Sequence, residues 1–348
     1  MLESDLSTKD VLVTSLLRRI AKTSPRISRR SGTGSRAPKP ARHLSVAIIG
    51  AGRMGTALGL ALKASGYKIE VVTTKRPASA RRAARAFGAN TLALTASQLG
   101  RSHKDQIDRL KRCPIVLIAT PDDMTESIAR QLASQTLPNA APRGRVALHT
   151  SGALSSEILG PMRDVGFAVG SLHPLVSISD SRTGAKSLTR AFFSIEGDVA
   201  AVRTAKSLVR DLGGDSFQID SDRKALYHAA ALTASPQMTA LFDIAVDMLR
   251  ACGLKPGRAR KILLPLVEST LANLAMQDPA TALTGTFKRG DKATVKKHLA
   301  ALKQADLPQA LHVYVALGQR SIAMARRLSQ NPRDLDAIAR ILSLETKK

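Results

Sequence analysis

The chain has no tryptophan, aromatic residues make up only 3% of it, and its 348 residues include just two cysteines. Each shortage removes a class of function. With so few rings, the stacking platforms on which single-stranded nucleic acids lay their bases are scarce. That matters because 53 Lys and Arg stand against 27 Asp and Glu, a net charge of +26. These cations are spread along the chain rather than gathered in one stripe, so nucleic acid is not the expected partner. A diffuse positive field suits phosphorylated cofactors and acidic small molecules instead. Cys113 and Cys252 lie far apart and form no CxxC, which argues against a disulfide framework and for a reducing compartment, read as the cytoplasm. No apolar run reaches the roughly 18–20 residues of a membrane span. HExxH, G-x-S-x-G and the G-x-x-x-x-G-K-[ST] phosphate loop are missing, and the scattered His and acidic residues have no metal-ligand spacing.

Residues 1–44 are read as a basic, disordered extension, because SPRISRRSGTGSRAPKPAR holds almost nothing to bury. The organised chain starts with SVAIIGAGRMGTALGLALKASGYKIEVVTTKR, Ser45 to Arg76. A branched apolar run, Val46 to Ile49, reads as a buried parallel strand, and Ile69 to Thr73 as a second, with a helix from about Met54 to Ser65 between them. Gly50, Gly52 and Gly55 stand between strand and helix at the G-x-G-x-x-G spacing. Gly50 permits the tight turn, Gly52 a close approach of backbone to a pyrophosphate, and Gly55 close packing of helix on strand. Gly50, Ala51, Gly52, Arg53, Met54 and Gly55 are therefore the expected phosphate cradle of a dinucleotide, held by the helix N-terminus. The second strand ends in Thr74, Lys75 and Arg76, where an acidic residue would accept ribose hydroxyls in an NAD site. Two cations and hydroxyls suit a 2′-phosphate, so NADP(H) is the expected cofactor.

Further strands are expected at 91–94, 115–119, 146–148, 167–171, 191–195 and 216–219, with helices between, giving a mostly parallel, doubly wound α/β sheet over 45–220. Open sheets of this kind bind ligands beyond the carboxyl ends of their strands. Loops starting at Thr120-Pro121, at His149-Thr150-Ser151-Gly152 and at Leu172-His173-Pro174 should therefore converge beside the cofactor. Asp122 or Asp123 is expected to cap the helix that follows. From 221 to 348 the texture becomes Ala- and Leu-rich helix: one long helix from Asp222 to Cys252 with Pro236 inside it, another from Gly257 to Met276 across Pro265, and three shorter ones. This all-α domain carries more apolar surface than one layer needs, as LVESTLANLAM shows, so a homodimer through it is expected.

The motifs GAGRMG, IATPDD, HTSGAL, SLHPL, FFSIEGD, KALYHAAALTAS and LTGTFKRGDKATVKKHL, spread over about Leu44 to Leu328, carry a resemblance. The chain resembles a family of NADP oxidoreductases that join a Rossmann-like domain to a helical C-terminal domain of unknown function. These are relatives of pyrroline-5-carboxylate reductase and ketopantoate reductase. The resemblance implies reduction of a small carbonyl or imine compound, with a 2-keto acid as one substrate class. A non-catalytic NADPH-binding sensor is the alternative. Relatives commonly dimerise, and some place a Lys on the long helix four residues before an Asn. Here Lys224 precedes His228 at that spacing, so both face one side of a helix. Lys224, His228 and His173 are the catalytic candidates, with Lys224 as the expected proton donor. Each has a structural alternative: Lys224 as an exposed helical lysine, His228 as a satisfied core histidine, His173 as a loop fastener. Ser151, Asn273 and Arg289 are substrate-contact candidates, although Ser151 could equally cap a helix over Gly152 to Leu159. The chain departs from the family pattern at Pro236 and at Thr286, Phe287 and Lys288.

Overall fold

The computed structural model describes residues 44–99, 104–135, 144–328 and 333–345. The expected extension thus lies, Leu44 apart, outside the described residues. The described chain divides into two compact units that meet between Ser235 and Pro236. The helix Lys224–Ala234 therefore goes with the sheet, and the division falls after it rather than at the expected 220/221.

The first unit is built on an eight-stranded sheet of order β3-β2-β1-β4-β5-β6-β7-β8. Its strands are β1 Ser45–Ile49, β2 Lys68–Thr74, β3 Leu92–Thr95, β4 Ile115–Ile118, β5 Val146–His149, β6 Ala168–Pro174, β7 Phe192–Gly197 and β8 Asp215–Gln218. β1 to β6 are parallel, β7 runs antiparallel to β6, and β8 is parallel to β7. Alternation along β1 sends Val46 and Ile48 into one core and Ala47 and Ile49 into the other, so helices cover both faces. That explains the near-continuous apolar runs of the parallel strands. The order reverses between β1 and β4, and it is there that such sheets open a crevice.

Several expectations need correction. β6 runs on through Leu172 and His173 to Pro174, because the antiparallel β7 pairs Leu172 with Ile195, His173 with Ser194 and Pro174 with Phe193. His173 is thus a strand residue and not part of a loop. The helix expected to be capped by Asp122 or Asp123 starts one or two positions earlier, as Asp122–Ser134, with Pro121 in the cap position and both acids in the first turn. The long helix expected from Asp222 to Cys252 is two helices, Lys224–Ala234 and Pro236–Ala251, broken at Ser235 (φ −127°, ψ −80°). Proline cannot donate to the preceding turn and pushes its predecessor out of helical geometry. Pro265, by contrast, sits inside the continuous helix Pro256–Met276.

In the second unit Lys292–Gln304, Pro308–Ala325 and Arg333–Glu345 pack around Val295, Leu299, Val315, Ile322, Ile338 and Leu342. Pro236–Ala251 and Pro256–Met276 are different: each buries one residue, Val246 and Ala259. Leu266 and Met276 stay 62% and 61% exposed, with Met238, Leu241, Ile262, Leu264 and Leu274 also at the surface. No helix among the described residues is long and apolar enough to cross a membrane.

Candidate functional site

The glycine loop behaves as its spacing predicts. Gly50 has φ +96°, and a side chain there would strike the Ala119 carbonyl oxygen and Thr120. A Cβ on Gly55 would lie 2.2 Å from the Gly50 carbonyl oxygen, so loop and helix touch backbone to backbone. Gly52 caps the helix Arg53–Ala64 without any side-chain hydrogen bond, and a Cβ there would meet nothing within 4 Å. The first-turn N–H groups of Arg53, Met54 and Gly55 therefore lack a side-chain cap and adjoin open space, which fits a pyrophosphate. Ala51 is committed elsewhere, its N–H donating to the Thr73 carbonyl at 2.8 Å. Thr120 and Pro121 follow β4 beside this loop.

At the end of β2, Lys75 and Arg76 are exposed, and the Thr74 hydroxyl donates to the Arg76 carbonyl at 2.7 Å. The helix that follows, Pro77–Phe87, has no acid in its first turn. Glu70, the one acid of β2, is buried and engaged by Lys68 and Arg109, so it has no part in a ribose site. This donor set fits an anionic group at the ribose.

A polar cluster stands at the carboxyl ends of β5 and β6. Lys224 is 0% exposed. Its Nζ donates to Ser171 Oγ on β6 at 2.6 Å and to the Ser151 carbonyl at 3.4 Å, and lies 3.5 Å from Glu196 Oε1 on β7. An ammonium has three hydrogens, and three acceptors surround it. Glu196, also buried, accepts from the Ser156 N–H and hydroxyl, both at 2.8 Å. Burial pushes the Lys224 ammonium below its ordinary pKa, against the opposing pull of Glu196 and Asp122.

One turn along the same helix, His228 meets His173 edge to face, with ring centroids 5.5 Å apart. Gly152 is what allows this: a Cβ there would lie 2.4 Å from His228 Nδ1 and 2.8 Å from His173 Cε1. His173 Nδ1 shares a 2.7 Å hydrogen bond with the Tyr227 hydroxyl. Burial pushes that phenol up to about 12, so it keeps its proton. Burial first, then His228 and the Lys224 charge, hold His173 down to about 4. Below them His149, fully buried, is held down to about 3 by burial and by Lys224, and its Nδ1 accepts from the Ser151 N–H at 3.2 Å. Both of these imidazole environments resist a positive charge, so His149 and His173 are neutral at pH 7. His228 Nδ1 is buried with no hydrogen-bond partner.

Ser151 does not start a helix over Gly152 to Leu159. Its hydroxyl donates to Asp122 Oδ2 at 2.9 Å and accepts from the Ala153 and Leu154 N–H groups. The turn of helix comes later, at Ser156–Leu159, capped by Ser155. Asn273 and Arg289 are exposed residues of the helical unit, and the neighbouring Asp291 caps Lys292–Gln304 by accepting from the Thr294 N–H. Lys224, His228, His173 and Ser151 therefore come together within the sheet unit, joined by Glu196, Ser171, Tyr227, His149 and Gly152, none of which was a sequence candidate. Gly152 and His149 stood within a marked loop, and Glu196 within FFSIEGD. The two cysteines are free, Cys113 buried and Cys252 exposed.

Residues 31–174 match the family model of a Rossmann-like domain, and residues 191–321 match that of a domain of unknown function, DUF2520. No curated protein matches the chain. Among solved structures, the chain is similar to a candidate NADP oxidoreductase of Bacteroides fragilis (20% identity, TM-score 0.62, covering 80% of this chain and 97% of that one). It is also similar to a reductive aminase of Aspergillus terreus in complex with NADPH and ethyl-5-oxohexanoate (14%, TM-score 0.55, 80% and 94%). A third likeness is to a 1-pyrroline-5-carboxylate reductase of Streptococcus pyogenes (17%, TM-score 0.52, 77% and 98%). At these identities the likeness is one of fold.

Proposed function

We propose that this chain, a Rossmann-like domain joined to a C-terminal DUF2520 domain, is an NADP(H)-dependent oxidoreductase that reduces a small carbonyl or imine compound. The observation that carries the reading is the His173–His228 pair, fixed beside a buried ammonium at the same sheet end as an uncapped glycine loop. The loop and Lys75-Arg76 suit a phosphorylated dinucleotide, which when bound would supply the hydride. The protein's share of such a reduction is to place the acceptor, exclude water and deliver a proton.

Lys224 was the donor expected from its spacing. With no exposed surface and three acceptors already engaged, it suits a fixed charge better than a donor meeting substrate. The partly exposed edges belong to His173, His228 and Tyr227. A Tyr227 hydroxyl that donates to Nδ1 would leave the His173 hydrogen on Nε2, on the side of Gly152 and His228. Those edges are proposed to orient the substrate and hand over the proton. The carbon–nitrogen chemistry named for two of the similar structures favours an imine, and a 2-keto acid remains within the class. The bare apolar helices Pro236–Ala251 and Pro256–Met276 support a homodimer formed through them, and the free thiols support a cytoplasmic setting.

Titrating the protein with NADPH and with NADH tests the cofactor half of the proposal: tighter binding of NADPH is expected. NADPH oxidation dependent on an added imine or keto acid tests the other half. Binding without turnover would favour a sensor.

A further inference from the structure

FFSIEG forms β7, and its Glu196 takes no direct part in the proposed transfer. The strand puts Ser194 and Glu196 on one face, and both are buried. Glu196 joins segments that are distant in sequence. Oε1 accepts from the Ser156 N–H and faces Lys224 Nζ, while Oε2 accepts from the Ser156 hydroxyl. Lys224 in turn grips the Ser151 carbonyl and Ser171. Ser151 and Ser156 bracket Gly152, the residue against which both imidazoles lie. One carboxylate and one ammonium thereby fasten both ends of the loop that shapes the histidine pair.

We propose that Glu196 is a positioning residue: acting through Lys224 and Ser156, it sets the 151–156 loop against His173 and His228. The proposal rests on the reading of that pair as the reacting edge, but its test does not need turnover. Around the two rings stand Lys224 and Tyr227 on their own helix, His149 on β5, Ser194 and Glu196 on β7, and Asp122 on the helix after β4. Without the Glu196 carboxylate, Lys224 loses the anion that keeps it charged in a buried site, and the loop loses its Ser156 anchor. Both changes relieve the forces that keep His173 neutral.

The experiment is an NMR titration of the full chain carrying ¹³C-labelled histidine, for the parent and Glu196→Gln. In the parent, the His173 ring should remain neutral until about pH 5 or below. In Glu196→Gln, the His173 and His228 ring signals should move at pH 7, and the His173 midpoint should rise by about one unit or more. Glu70→Gln removes another buried carboxylate, the one on β2 that Lys68 and Arg109 engage. It should lower thermal stability and leave both rings unmoved. Superimposable histidine titrations in parent and Glu196→Gln overturn the proposal, as does an equal movement in Glu70→Gln. If Glu196→Gln does not fold, the paired Glu196→Gln, Lys224→Met chain, which buries no unmatched charge, should show the same rise. An unchanged His173 midpoint there overturns it. NADPH oxidation by the parent is read separately: its absence, with the histidine shift present, would sink the reductase reading and still support the positioning role.

Discussion

Replacing Lys224 by alanine should cost more stability than any other single truncation at the site. The side chain is 0% exposed and supplies the hydrogens for Ser171 Oγ, the Ser151 carbonyl and Glu196. Truncation leaves a cavity and strands the Glu196 carboxylate in the interior with only Ser156 to satisfy it. Removing one partner of a buried pair costs about 3–5 kcal/mol, against a total of roughly 5–15 kcal/mol for a domain. For a unit of this size each kcal/mol moves the melting temperature by about 2–4 °C, so a fall of roughly 6–20 °C is expected. Differential scanning fluorimetry with a urea titration at pH 7.5 would measure it. Adding Glu196→Gln to Lys224→Met should recover part of the loss, because the stranded charge goes too. Turnover should fall at least about 10²-fold even at temperatures where the variant is folded, since loop and histidines lose their anchor. A melting temperature within about 2 °C of the parent would refute the buried-pair reasoning.

Three further outcomes are expected. Lys75→Ala with Arg76→Ala should weaken NADPH at least about tenfold, a charge-assisted contact being worth about 1.5–3 kcal/mol, and leave NADH nearly unchanged; equal affinity of the parent for both cofactors would contradict the reading. His149 and His173 have folded pKa values held below the ordinary 6.5, so the unfolded chain binds more protons between the two. Stability should be full above about pH 6.5 and fall as pH drops toward about 4, by up to about 1.4 kcal/mol per pH unit for each histidine; a flat profile would count against buried neutral rings. Light scattering at micromolar concentration should give the mass of a dimer, and Leu266→Glu should lower it to that of a monomer; a monomeric parent would show that the bare helices serve another end.

What was legible in the sequence depended on whether the signal was local. The glycine loop, the buried strands and the basic end of β2 each announce themselves within a few residues, because a turn, a pleat or a phosphate makes its demand on neighbours. Ser235-Pro236 was equally local, and the missing N–H should have ended the helix there. The extension of β6 past Ser171 depends on β7 turning antiparallel, which no residue of β6 reports. Glu196 was hidden more deeply. Ser194 and Glu196 alternate with apolar Phe193 and Ile195, the pattern of a strand with one solvated face. Only the return of the chain with Lys224 turns that polar face into an interior, and only the fold brings Gly152 against two imidazoles. Lys224 and His228 could be paired by their spacing, but spacing does not say which of them reaches the surface.

The central claim is reduction by NADPH at the histidine pair. Its most direct test is steady-state NADPH consumption by the unmodified full chain, followed at 340 nm, against cyclic imines, ketone–amine mixtures and 2-keto acids. The account predicts saturable oxidation, dependent on the protein and on at least one of these classes, and much weaker with NADH. Saturable NADPH binding with no oxidation across every class would contradict it.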